Sequence, residues 1–291
     1  MQRDPRTLGR GGFTLVELAV AVLIGALLIT VVFQMVSGQV RVTALQSARE
    51  ETQQNTRGAL EIMTSELRSA LPAGILRAEA QAITFMQPRA WGVLCDGVTG
   101  ATTIDVMLPD VGADDAWTAS RANGVLVRTT GGALSPAPAG GLAASLAARA
   151  RIATSTELAA GSCAGLQAQG SVKAVRLTLS QAVTGNRADP VALYTLTRYD
   201  VDPGSVKWLR RNSGLTDADA FIPQPLAGPL VTENFSLEYR DAAGTVIPVP
   251  VAAASLPNIR QIRIRVATES SQRLNGRTQQ DAGETVVTLR N

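Results

Sequence analysis

A chain of 291 residues with 27 Lys and Arg against 24 Asp and Glu has a net charge of only +3, and 4% of it is aromatic. That balance argues against a broad electrostatic attraction to nucleic acid, while the length suffices for a sizeable core. Histidine is absent, which removes Ser/His/Asp and Cys/His catalytic arrangements, imidazole acid–base chemistry and every His-containing zinc site.

The first element is an apolar run from Phe13 to Val36, interrupted by Thr14, Glu17, Thr30 and Gln34. As a helix it reaches roughly 36 Å, against about 30 Å for a hydrocarbon core. Ahead of it Arg3, Arg6 and Arg10 outnumber Asp4. The positive-inside bias therefore keeps residues 1–12 in the cytoplasm and exports the chain beyond 13–36. The run closes on Phe33, Gln34, Met35 and Val36, which do not form the small-residue cleavage site of a secretory signal peptide. A plain single-pass anchor explains the apolar length but neither Gly11–Gly12 nor Glu17. A carboxylate in such a span costs roughly 2.5 to 3.5 kcal/mol on insertion scales and marks a function and a partner.

The string GGFTLVEL, Gly11 to Leu18, resembles the processing site of type IV prepilins and the related pseudopilins. The resemblance implies cleavage between Gly12 and Phe13 by a prepilin peptidase and N-methylation of Phe13. It gives Glu17, the fifth mature residue, a role in subunit assembly through the N-terminal amine of a neighbouring protomer. Opposite charges in a low-dielectric medium attract strongly and either is costly alone, so such a pair can select an axial register. Other major and minor pilins and an inner-membrane assembly platform are the implied partners. Losing Arg3, Arg6, Arg10 and Asp4 with the leader would take the net charge from +3 to +1. Many major pilins have a helix-breaking proline about twenty residues into the mature helix. Here there is none near Gln34, and Gly25 weakens the span by merely about 1 kcal/mol.

Residues 37–72 continue the helix in amphipathic form. Leu45, Ala48, Thr52, Thr56, Ala59, Leu60, Met63, Leu67, Ala70 and Leu71 recur mostly at steps of three and four. Arg49, Glu50, Gln53, Gln54, Arg57, Glu61 and Glu66 take the other face. Pro72 and Gly74 stop it. The segment Thr56 to Gly74 resembles, more loosely, the end of the long helix in W-type minor pilins and J-type pseudopilins.

Residues 73–291 read as an exported β-rich domain. Phe235, Leu237 and Tyr239 alternate with Ser236, Glu238 and Arg240, and Ile262, Ile264 and Val266 alternate with Arg263 and Arg265, predicting strands with one wet face. Asp202-Pro203-Gly204 predicts a hairpin between Val191–Asp200 and Ser205–Arg211, and Asp241 to Gly244 a second. Pro248 and Pro250 confine their segment to an edge. The Gly/Ala/Pro-rich stretch 131–150 reads as an insertion or linker with a short helix from Leu142 to Arg151, dividing the sheet into lobes 75–130 and 171–291. The expected fold class is α+β: a long N-terminal helix, half transmembrane and half amphipathic, on an antiparallel sheet, as the pilin resemblance also implies.

Cys95 and Cys163 are the only cysteines. Neither follows a lipobox-like pattern, and outside the cytoplasm such a pair is more often a bridge than two free thiols; closing this loop adds on the order of 4 kcal/mol in the chain-entropy model. Ser171 with Lys173, and Ser205 with Lys207, are two apart, as strand alternation also produces. The carboxylates Asp110, Asp114, Asp115, Asp200, Asp202, Asp217 and Asp219 read as exposed loops. Asp217 and Asp219 lack the glycine and glutamate that complete an EF-hand. Arg210, Arg211, Arg260, Arg263 and Arg265 would make a DNA-contacting strip only with interleaved aromatics, which are missing, so DNA is a weak partner candidate.

No catalytic residues, metal or cofactor are expected. The sequence reading is a minor pilin: a non-enzymatic structural subunit of a type IV pilus, inserted single-pass in the inner membrane with its N-terminus in the cytoplasm and later part of a periplasmic or cell-surface filament. A minor pseudopilin of a type II secretion system is the alternative within the class. A membrane-anchored receptor or enzyme using the prepilin export route is the alternative outside it.

Overall fold

The computed structural model describes residues 14–71, 73–109, 123–137, 142–159, 162–166, 172–215, 220–273 and 276–289. Helix α1, Leu15–Arg68, is continuous over 54 residues, roughly 81 Å at 1.5 Å per residue. It begins with Thr14 as N-cap and stops about a turn before Leu71, the last predicted core position. Ser69 closes it, its N–H donating to the carbonyls of Glu66 and Leu67. Gly74 lies close over this end, where an added Cβ would sit 2.7 Å from the Leu71 carbonyl oxygen.

The two halves of α1 differ in what covers them. From Leu15 to Val42 the large apolar side chains are exposed, Leu15 by 85% and Phe33 by 71%. This half is long and apolar enough to cross a membrane. Beyond it Ala48, Thr52, Thr56, Ala59, Met63 and Leu67 are buried, the stripe that the three-and-four spacing predicts.

Among the described residues all the strand pairing is antiparallel. In the larger sheet, β2 (Ala82–Leu94) pairs with β1 (Ile75–Ala78) and briefly with β3 (Val98–Pro109) on one side, and with β8 (Pro190–Val201) on the other. β8 in turn meets β4 (Gly124–Arg128) along its first half and β9 (Leu209–Leu215) along its second. β3 pairs with β7 (Val172–Gly185), and β7 with β6 (Ile152–Glu157). A bridge from Val125 to Ala150 ties β4 to the chain entering β6. β2, β3, β7, β6, β4 and β8 thus curl around one core of Leu94, Val106, Val125, Val175, Leu177 and Val191. At the far edge β9 pairs with β10 (Phe221–Ala227), forming with β8 the expected hairpin across Asp202 to Gly204.

The smaller sheet has the order β12 (Val246–Ile247), β11 (Leu230–Arg240), β13 (Gln261–Glu269), β14 (Gln280–Thr288). Both predicted alternations hold: Leu237 pairs with Ile264 in register, and Phe235, Leu237, Tyr239, Ile262, Ile264 and Val266 are buried. The Asp241 to Gly244 hairpin is present, and β12 is a two-residue edge before Pro248. The main core lies where α1, this sheet and one end of the larger sheet meet. There Met63 and Leu67 pack with Phe85, Tyr199, Phe235 and Tyr239.

The stretch 131–150 does not divide the domain. Within it β5 (Leu134–Ser135) pairs with β4, and α2 (Leu142–Ala148) packs Leu142 and Leu146 against Leu76, Met86, Leu126 and Tyr194. Strands from 75–130 pair directly with strands from 171–201, β3 with β7 and β2 with β8. Sheet hydrogen bonding between distant segments overrides the break in composition.

Candidate functional site: the acidic end of the long helix and its mounting on the domain

Gly11, Gly12 and Phe13 lie outside the described residues, and Glu17 is described. Its Oε2 accepts from the Thr14 backbone N–H at 2.9 Å and the Thr14 hydroxyl at 3.0 Å, while its own N–H donates to Thr14 Oγ1 at 3.3 Å. This is a capping box: a hydroxyl and a carboxylate three residues apart satisfy donors that the first turn leaves open, and the carboxylate gains from the helix dipole. Glu17 is exposed, so the carboxylate is held in place at the tip while accessible to a cation from another molecule. Thr30 donates to the Ala26 carbonyl at 2.8 Å, which lowers the cost of exposing that hydroxyl to lipid.

The amphipathic half of α1 is mounted on the domain by specific contacts. Thr56 Oγ1 and Thr268 Oγ1 are 2.9 Å apart, and Thr268 Oγ1 donates to the Thr52 carbonyl at 3.0 Å. Gly283 on β14 lets helix and sheet approach, since a Cβ there would lie 2.7 Å from Leu60 Cδ1 and 2.9 Å from Thr56 Cγ2. Near the helix end, Arg211 Nε donates to both Glu66 oxygens at 2.9 and 3.0 Å, and the Tyr199 hydroxyl donates to Glu66 as well. Glu66 is only 13% exposed and Arg211 20%. The guanidinium is raised above its usual range, first by that hydrogen bond to Glu66. Glu66, which the periodicity puts on the wet face, therefore marks the rim of the buried face. Only its cation on β9, distant in sequence, reveals this.

Cys95 and Cys163 form a disulfide with Cα atoms 4.7 Å apart. It pins the turn after β2 to the turn 162–165, where Cys163 has φ of 64° and Arg187 donates to the Ala164 carbonyl. The remaining candidates do not converge. Lys173 lies 3.8 Å from Glu157, Lys207 donates to the Pro203 carbonyl at 3.3 Å, and Ser205 is exposed. Ser171, Asp110, Asp114, Asp115, Asp217 and Asp219 lie outside the described residues. Asp200 is buried between Arg198 at 2.9 Å and Arg210 at 2.9 Å, and Asp202 Oδ1 accepts from Gly204 N–H at 2.7 Å within its turn. The five arginines of the supposed basic strip do not share a face: Arg210 and Arg211 are on β9, Arg263 and Arg265 on β13, and Arg260 just precedes β13. Arg210 and Arg211 are bound to Asp200 and Glu66, Arg263 and Arg265 share Glu284 at 3.2 and 2.8 Å, and Arg260 donates to the carbonyls of Pro257 and Ile259.

The class that fold and site define is an α+β protein whose N-terminal helix is half exposed and apolar and half built into antiparallel sheets. Comparison with protein-family models, with curated proteins and with solved structures returned no match.

Proposed function

We propose that the chain is a structural subunit of a type IV pilin-like filament, a minor pilin in particular, held in the inner membrane by residues 13–36 until it is drawn into the fibre. The observation that carries this reading is the exposed apolar half of α1 ending in a clasped but accessible Glu17, directly after Gly11-Gly12-Phe13. Cleavage between Gly12 and Phe13 would create an amine beside Thr14, where the capping carboxylate already stands. In assembly the carboxylate would meet the amine of a neighbouring protomer while lipid or packed helices exclude water, so mispairing by one turn leaves two charges uncompensated. The domain would stay outside the membrane, mounted through Thr52, Thr56, Thr268 and the Glu66–Arg211 pair, and so transmit the helix position to the filament surface.

Gly12→Ser should leave the leader attached. The measurement is the intact mass of the membrane-extracted protein, and a processed mass for this variant would show that the cleavage site is misassigned. Glu17→Val should insert normally yet be depleted by about tenfold or more from sheared filaments, given that an unpaired buried charge costs at least about 1.4 kcal/mol. Equal recovery of variant and unsubstituted chain would overturn the role of Glu17.

A further inference from the structure

The outward face of the smaller sheet is not uniformly polar. Ser236, Glu238 and Arg240 of β11 stand opposite Arg265, Arg263 and Gln261 of β13, and the segment 246–249 borders them, so that together they line a cavity of about 370 Å³. Val246 is exposed by 49% and Val249 by 42%. One wall is therefore apolar, while the other carries the guanidiniums of Arg263 and Arg265. The volume falls at the lower end of the range for small-ligand sites, about 300–1,000 Å³.

The charges in this face do not balance. Glu238 Oε1 accepts from Arg240 Nε at 2.7 Å, which leaves Glu238 Oε2 without a partner among the described residues. Glu284 on β14 is shared: Arg265 Nη2 donates to its Oε2 at 2.8 Å, and Arg263 Nε lies 3.2 Å from its Oε1. That second approach is not aligned as a hydrogen bond, so Arg263 Nε is buried without an acceptor. Two guanidiniums on one carboxylate leave one positive charge over, and a guanidinium with unused donors at a cavity wall is a carboxylate-binding group. The cleft where Leu142 and Leu146 of α2 face Leu256 is comparable in size, about 410 Å³, but its charged residues Arg77 and Glu79 bond to each other at 2.7 Å and call for no counter-ion.

We propose that the cavity binds the C-terminal residue of a partner peptide, an aliphatic residue with a free carboxylate. Arg263 and Arg265 take the carboxylate, Glu238 Oε2 accepts from the backbone N–H of the same residue, and its side chain lies on Val246 and Val249. The spacing suits one residue, because directly opposed residues such as Glu238 and Arg263 hold their Cβ atoms about 4.5–5.5 Å apart. One monoanion cancels the surplus positive charge. A free amino acid does not, since its ammonium offsets its own carboxylate. An acidic side chain in place of the aliphatic one sets a second negative charge near Glu238 and against the apolar wall. The site is on the sheet face turned away from α1, and it stands whether or not the chain enters a filament.

The test uses the full chain in detergent, titrated with N-acetyl-alanyl-leucine while the backbone amides of Ser236, Glu238, Arg263 and Arg265 are followed by NMR. These signals should shift saturably, with a dissociation constant of about 1 mM or less. The same peptide with a C-terminal carboxamide should bind at least about tenfold more weakly, as should free leucine, and N-acetyl-alanyl-alanine about fivefold more weakly. Arg263→Gln should weaken binding of the acid by at least about tenfold and of the carboxamide little; Glu284 keeps its bond from Arg265, so the fold is retained. Val249→Ser, at an exposed position, should remove the preference for leucine over alanine and leave the carboxylate requirement in place. No saturable shift up to about 10 mM, or equal binding of acid and carboxamide by the unsubstituted chain, overturns the proposal. Free leucine binding as tightly as the acylated dipeptide overturns it as well, by making this an amino-acid site.

Discussion

All three tyrosines of the chain are enclosed, with Tyr194 exposed by 1% and Tyr199 and Tyr239 by 0%, which makes alkaline pH a selective probe of the core. Burial is the first cause in each case. It pushes Tyr194 up to about 12, the Arg149 charge opposing it. Tyr199 is raised by burial and then by the Glu66 carboxylate that its hydroxyl faces, and Tyr239 by burial despite its hydrogen bond to the Glu79 carbonyl. In the unfolded chain a tyrosine titrates near 10. Below pH 10 both states are protonated and stability is intact. Above it the unfolded state loses protons that the folded state keeps, so stability falls with rising pH. For Tyr194 the difference reaches about 2 kcal/mol by pH 12. The other two are raised in the same direction and add to this loss, against a total stability of about 5–15 kcal/mol for a typical domain. Tyrosinate absorbance and circular dichroism should therefore change together in one cooperative step between pH 10 and 12, with no earlier tyrosine titration. A tyrosinate signal near pH 10 with the circular dichroism unchanged would refute the burial argument.

Replacing Gly283 with Val should force α1 off β14 and cost about 1–3 kcal/mol by overpacking; a denaturant midpoint equal to that of the unsubstituted chain would contradict the close approach. Cys95→Ser should lose about 4 kcal/mol through the 68-residue separation it leaves open, a difference that vanishes when both proteins are compared under reducing conditions. Glu66→Ala strands Arg211 and should cost about 2–3 kcal/mol, and Tyr199→Phe about 1 kcal/mol. Chemical denaturation of the two single variants and the double variant should show strong non-additivity, and simple additivity would mean that the three side chains do not act as a unit.

Local rules account for much of this molecule. The apolar run, the stripe from Ala48 to Leu67, the alternations in β11 and β13 and the turns at Asp202 and Asp241 all rest on periodicity or turn chemistry within a few residues, and each stands in the structure. The residues that mount the helix on the domain were illegible for the opposite reason. Thr56 and Thr268 are 212 positions apart and Glu66 and Arg211 are 145 apart, and neither pair has a local pattern to betray it. The stretch 131–150 misled because glycine and proline report a weak local backbone, whereas β3 with β7 and β2 with β8 are joined by bonds between remote segments.

By itself, then, the sequence determined where the chain is apolar enough to leave water, which face of the amphipathic half is buried and where the chain turns, because hydrophobic periodicity and backbone preference act over neighbouring residues. Tertiary structure alone decided that ten strands join in one sheet, that Glu66 is shielded rather than solvated, that Cys95 and Cys163 stand 4.7 Å apart at their Cα atoms, and that β14 keeps an open edge. Each of these depends on which distant segments meet, and that is set by the packing of the whole core.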